Sequence, residues 1–159
     1  MSLVKAYRIV KTKRSHNAFN GQGAKMNGGR WNSPGQACVY LANSPSLAQL
    51  EMLVNLNKEA LMLAYTLFEI GIPTDSIDKL SYEQLPENWE ESPAPVELAD
   101  IGDQWLKDAN SALALAIPSV VSPYNIETNY LLNPNHSLFS EVVGTAKAFD
   151  LRFDQRFKS

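Results

Sequence analysis

With 45% hydrophobic and 19% charged residues over a length of 159, the chain has ordinary globular usage, which excludes wholesale disorder and suits one domain with its own core. A formal net charge of −3 excludes nucleic-acid binding through a broad basic surface, though not a local basic pocket. One cysteine, Cys38, cannot form an internal disulfide, and between Ala37 and Val39 it reads as a small buried hydrophobe.

The first predicted element is a strand over Leu3–Val10, rich in β-branched and aromatic residues. Arg8 stands there among apolar neighbours, so it faces either solvent at a sheet edge or a site. A polar run, Asn20–Gln36, follows and contains Gly28-Gly29-Arg30-Trp31-Asn32. Adjacent glycines permit unusual backbone angles and close approach of a ligand. The next three residues supply a guanidinium fork for phosphate, a flat indole face and an amide that donates and accepts. A plainer reading makes this a surface loop, with Trp31 plugged into the core and Arg30 in solvent.

Ala37–Ala42 is a short apolar run between turn signals and predicts a strand buried on both faces, with Tyr40 as its polar handle. Ser44-Pro45 then marks a helix start, Ser44 as N-cap and Pro45 in the first turn, continuing through Leu56. Residues 47, 50, 51 and 54 share one helical face. Three are apolar and the fourth is Glu51. An ionised carboxylate buried in such a stripe is costly unless it is paired or wet, so Glu51 is the most suggestive acid in the chain.

Leu61–Ile70 predicts another strand. Residues 71–99 form an acidic connection broken by Pro73, Pro86, Pro93 and Pro95, with one short helix at Ser81–Leu85. A helix over Ile101–Ala109 and a strand over Ala112–Ile117 follow. Pro118-Ser119 interrupts the apolar run that continues to Val121. Ser119 is a hydroxyl in apolar strand, either a kink residue bonded to its own backbone or a site group. The chain closes with a helix over Ser137–Val143 and a strand over Lys147–Phe153. The His and Cys residues show no metal-ligand spacing, and neither a dinucleotide fingerprint nor a Walker lysine motif occurs. No apolar run approaches membrane-spanning length and the N-terminus lacks a signal-peptide core, so a soluble, cytoplasmic protein is expected.

Taken together, these motifs resemble the RES-domain family, toxins of bacterial toxin–antitoxin pairs named for an Arg, a Glu and a Ser. The matching residues are Arg30 in Gly-Gly-Arg-Trp-Asn, Glu51 in the helix after Ser-Pro-Ser, and Ser119 in Pro-Ser-Val-Val. Tyr7-Arg8, Tyr40, Gly102-Asp-Gln-Trp105 and Asn129-Tyr-Leu-Leu-Asn133-Pro-x-His136 extend the likeness over nearly the whole chain as a single domain, 1–159. Asn55 departs from the pattern, since many members carry His there.

The resemblance implies an α+β fold related to ADP-ribosyltransferases, a mixed, mainly antiparallel sheet core with flanking helices. It implies cleavage of the nicotinamide–ribose bond of NAD by phosphorolysis or hydrolysis, with NAD as substrate, inorganic phosphate as co-substrate and no cofactor required. Glu51 would stabilise positive charge on the ribose, and Arg30, with Arg8, would hold the diphosphate. Trp31 or Tyr40 would stack on nicotinamide, Asn32 and Asn129 would contact NAD, and Ser119 would bond a ribose hydroxyl or the entering phosphate. A helix-turn-helix antitoxin is the implied partner, and neither direct nucleic-acid binding nor a membrane is. Two other readings compete: transfer of ADP-ribose to a macromolecule, disfavoured by the lack of a Glu/Gln-x-Glu pair, and a non-catalytic nucleotide-binding module.

Overall fold

Seven strands form one sheet in the computed structural model, which describes residues 2–158. The strands are β1 (Leu3–Lys11), β2 (Val39–Ala42), β3 (Tyr65–Pro73), β4 (Ile77–Lys79), β5 (Ala114–Pro118), β6 (Thr128–Leu132) and β7 (Lys147–Leu151). Their spatial order is β4-β5-β6-β2-β1-β3-β7, antiparallel throughout except for the parallel pair β4–β5. The helices are α1 (Gln22–Asn27), α2 (Pro45–Leu53), α3 (Val96–Lys107) and α4 (Phe139–Gly144). This is the mixed, mainly antiparallel α+β architecture expected from the sequence. No described helix is long and apolar enough to cross a membrane.

Side chains alternate across the sheet, and each face buries its own set. One face gathers Ala6, Val39, Leu41, Ile70, Ile72, Tyr130 and Leu132 under Val142 of α4. The other carries two clusters. Ile9, Ala42 and Tyr65 pack under Leu47, Ala48 and Leu53 of α2, and Leu115, Ile117 and Leu131 pack under Leu98 and Leu106 of α3 with Trp31. Each fully buried Leu stabilises by roughly 1.5–3 kcal/mol. The sheet curls so far that β1 and β4, separated by β5, β6 and β2, line one cavity through Val4 and Ile77.

Several boundaries move for physical reasons. Helix α2 begins as expected, with Ser44 Oγ accepting from Leu47 N–H at 3.1 Å and Pro45 in the first turn. Its buried residues are Leu47, Ala48 and Leu53, whereas Leu50 and Val54 lie exposed, so Glu51 sits at the edge of the buried stripe. Strand β3 starts at Tyr65, later than expected, and runs through Gly71 to Pro73 because Lys5 and Leu3 of β1 pair with those residues. The 71–99 connection is therefore shorter than its composition suggested, and Ile77–Lys79 adds a strand beside β5.

Helix α3 begins at Val96, directly after Pro95, and buries Leu98, Gly102 and Leu106, spaced one turn apart. Gly102 meets the Trp31 backbone so closely that a Cβ there would stand 1.6 Å from the Trp31 carbonyl oxygen. Strand β5 ends at Pro118, which leaves Val120 exposed rather than in a strand.

Candidate active site around Glu51, Ser119 and Asn129

Three elements bring polar groups to one carboxylate. Glu51 projects from α2, Ser119 follows the end of β5, and Asn129 stands on β6. Ser119 Oγ donates to Glu51 Oε1 at 2.5 Å, and Asn129 Nδ2 donates to the same oxygen at 2.8 Å. Both bonds are charge-assisted and fix the carboxylate's rotation. Ser119 is buried, and its Oγ also accepts from Val121 N–H at 3.3 Å, which sets the turn leaving β5. Glu51 itself is half-buried, and its Oε2 accepts no hydrogen bond from any described residue. Asn129 Oδ1 is buried without a partner, a cost of about 1–3 kcal/mol for such a group. An orphaned acceptor beside a gripped carboxylate is what a site awaiting a hydroxyl donor would show.

The surrounding backbone is tied to α2. Glu127 Oε2 accepts from the Ser44 hydroxyl, and Ser122 Oγ accepts from Glu127 N–H at 3.1 Å. Between them Tyr124 and Asn125 hold φ of 56° and 55°, a left-handed conformation uncommon for residues other than Gly. The loop carrying Ser119 is thus fixed at both ends to the helix carrying Glu51.

The glycine-rich loop is closed by its own hydrogen bonds. Tyr40 Oη donates to Asn32 Oδ1 at 2.7 Å and accepts from Trp31 N–H at 3.0 Å. Asn32 Nδ2 donates to the carbonyls of Ala24 (2.9 Å) and Gln36 (3.0 Å). Trp31 and Asn32 are 2% and 1% exposed. The expectation that they contact the nicotinamide nucleotide is corrected here. Trp31 fills the core beneath α3, and the Asn32 amide is spent on closing its own loop. Burial pushes the Tyr40 phenol well above its ordinary range, so it acts as a neutral strut whose hydroxyl is already engaged.

Arg30 makes no ion pair with Glu51. Its Nη1 donates to the carbonyls of Trp89 (3.0 Å) and Glu91 (2.9 Å), and its Nη2 donates to Ser92 Oγ at 3.0 Å. The planar fork clasps the acidic connection to the glycine-rich loop. Arg30→Lys keeps the charge and loses the fork, and is expected to destabilise the protein by about 1–2 kcal/mol. It should also raise amide exchange across residues 88–92, and unchanged exchange there would contradict the clasp.

Arg8 is likewise corrected. It pairs with Phe68 and follows Tyr7, so it lies on the sheet face opposite Glu51. Its Nε donates to Ala18 O at 2.6 Å and its Nη1 to Tyr40 O at 3.1 Å. Burial lowers its pKa, with Cys38 opposing. The residue on the Glu51 face is instead Tyr7, in one row with Ala42 and Asn129 across β1, β2 and β6. Tyr7 Oη donates to Glu69 Oε2 at 2.9 Å. Strand alternation could have distinguished the two neighbours only once the face covered by α2 was known.

Other motif residues hold structure. Asp78 Oδ2 accepts from Trp105 Nε1–H and from Ala112 N–H, both at 2.9 Å, seating α3 beside β4. His136 Nδ1 accepts from Leu138 N–H at 3.0 Å in the turn before α4. Cys38 is 1% exposed, and burial pushes its thiol up to about 12 despite opposing contributions from Tyr40 and Arg8. Native protein at neutral pH is therefore expected to resist thiol alkylation, with labelling only after denaturation. Rapid labelling of the folded form would contradict the burial.

A family model described as "RES domain" matches residues 5–154. A protein from Yersinia enterocolitica called "Toxin Res" is 40% identical over 152 residues, covering 96% of this chain and 98% of its own. The "Prs ADP-ribosylating toxin" of Sphingobium sp. strain YBL2 is 41% identical over 135 residues, 82% of each chain. Among solved structures, the M. tuberculosis MbcT–MbcA toxin–antitoxin complex contains a chain that superposes with a TM-score of 0.69 at 18% identity, over 95% of this chain and 85% of that one. At that identity the likeness concerns the fold alone.

Proposed function

The chain belongs to the RES-domain family, and on that premise we propose that it is a toxin of a toxin–antitoxin pair that cleaves the nicotinamide–ribose bond of NAD. The observation that carries this reading is the grip on Glu51 Oε1 by Ser119 and Asn129, which leaves Oε2 without a partner among the described residues. When the glycosidic bond breaks, nicotinamide leaves with the bonding electron pair and the ribose becomes an oxocarbenium ion. A carboxylate held in a fixed orientation stabilises that positive charge without reorganising. Phosphate or water then attacks C1′, and water loses a proton as it adds. Asn129 Oδ1 accepts from a ribose hydroxyl. Arg30, half-exposed, turns its fork from the Trp89 and Glu91 carbonyls to the diphosphate.

A second reading differs only in the acceptor. The Sphingobium relative is named for ADP-ribosylation, so a macromolecule could take the place of phosphate or water after the same bond cleavage. For an antitoxin partner, Leu50 on α2, Val54 just beyond it, and Val120, Tyr124 and Ile126 after Ser119 offer exposed apolar side chains to cover.

Expression of the chain alone in a bacterial host tests the proposal. The expected result is growth arrest together with collapse of the NAD pool. Arrest with an intact pool and an ADP-ribosylated macromolecule would support the second reading, and unimpaired growth with an intact pool would overturn both.

A further inference from the structure

On the sheet face turned away from Glu51, the curl of the strands leaves a cavity of about 450 Å³. Pro118 and Thr128 line it, and their chain neighbours Ser119 and Asn129 point the other way, to Glu51. One strand thickness therefore separates the cavity from the candidate active site. Its volume falls in the range of about 300–1,000 Å³ typical of small-molecule sites.

Three features describe what would fit. Val4, Ile77 and Ala116 make the walls largely apolar. Tyr130 lines the cavity and is 6% exposed; its hydroxyl makes no hydrogen bond to another described residue and is not itself buried from solvent. Burial raises its pKa, so it remains a neutral donor. Lys79 is the one charged residue of the lining, and no described carboxylate forms an ion pair with it. The Thr128 hydroxyl, by contrast, is spent on the Ile117 carbonyl at 2.7 Å.

We propose that this cavity is a second ligand site, separate from the Glu51 constellation, for a small and mainly apolar molecule bearing one carboxylate. The apolar part replaces water against the walls, the carboxylate meets the unpaired Lys79 ammonium, and the Tyr130 hydroxyl donates to it. A nucleotide does not suit this lining, which offers a single cation and few polar groups.

Calorimetric titration of the purified chain with octanoate, octan-1-ol and octylammonium tests the assignment. Octanoate should bind saturably, one molecule per chain, and about tenfold more tightly than octanol, as one charge-assisted contact warrants. Octylammonium should bind more weakly than either. Lys79→Ala should bring octanoate down to the affinity of octanol, Tyr130→Phe should weaken it, and Ala116→Phe, which fills the cavity, should abolish binding. Lys79 is exposed, so its variant decides the matter even where a filled cavity prevents folding. Absence of saturable octanoate binding, equal affinity for octanol, or an affinity unchanged by Lys79→Ala would overturn the proposal.

Discussion

Replacing Glu51 by Gln is expected to lower NAD turnover by ~10²-fold or more, the range for removal of one fixed electrostatic group from a transition state. The amide oxygen of Gln can still accept from Ser119 Oγ and Asn129 Nδ2, the two donors that hold Glu51 Oε1. Only the negative charge is lost. If that charge acts on an oxocarbenium-like state, as proposed, KM and NAD affinity should change far less than kcat. The folded variant should also be harmless when expressed alone. A steady-state comparison with a urea unfolding curve checks both halves. Parental turnover in a folded Glu51→Gln protein would remove the catalytic role from this residue.

The largest effect on stability is expected at Gly102. In Gly102→Ala the new Cβ would lie 1.6 Å from the Trp31 carbonyl oxygen and 2.7 Å from its carbonyl carbon. These are backbone atoms of a loop already held by Tyr40 and Asn32, so α3 must move off the core. The expected loss is about 3 kcal/mol or more, at the upper end for overpacking. Gly144→Ala is the control, since nothing lies within 4 Å of its Cβ, and it should be neutral or slightly stabilising. Equal unfolding midpoints for Gly102→Ala and the parent would contradict the seating of α3 on Trp31.

The sequence made some of this legible and hid the rest for identifiable reasons. Ser44-Pro45 marked the start of α2 because capping is local chemistry, and Glu51 stood out as a carboxylate within an apolar stripe. The same stripe misassigned Leu50 and Val54, because helical spacing gives a face but not which part of it the sheet covers. Arg30, Trp31 and Asn32 could equally grip a nucleotide or close a loop. The choice depended on Tyr40, Ala24 and the 89–92 segment, which only the fold brings alongside. Tyr7 and Arg8 fall on opposite faces for a similar reason, since alternation separates them but tertiary packing decides which face meets α2. Strand β4 was lost inside an acidic connection because three residues paired in parallel with β5 leave little local pattern.

The most direct measurement is product identification after purified protein is incubated with NAD, with and without inorganic phosphate. One nicotinamide should be released for each NAD consumed. ADP-ribose 1-phosphate should accompany it when phosphate is present, and ADP-ribose when water is the acceptor. NAD recovered intact from active-concentration protein under both conditions, with no nicotinamide formed, would contradict the proposed cleavage.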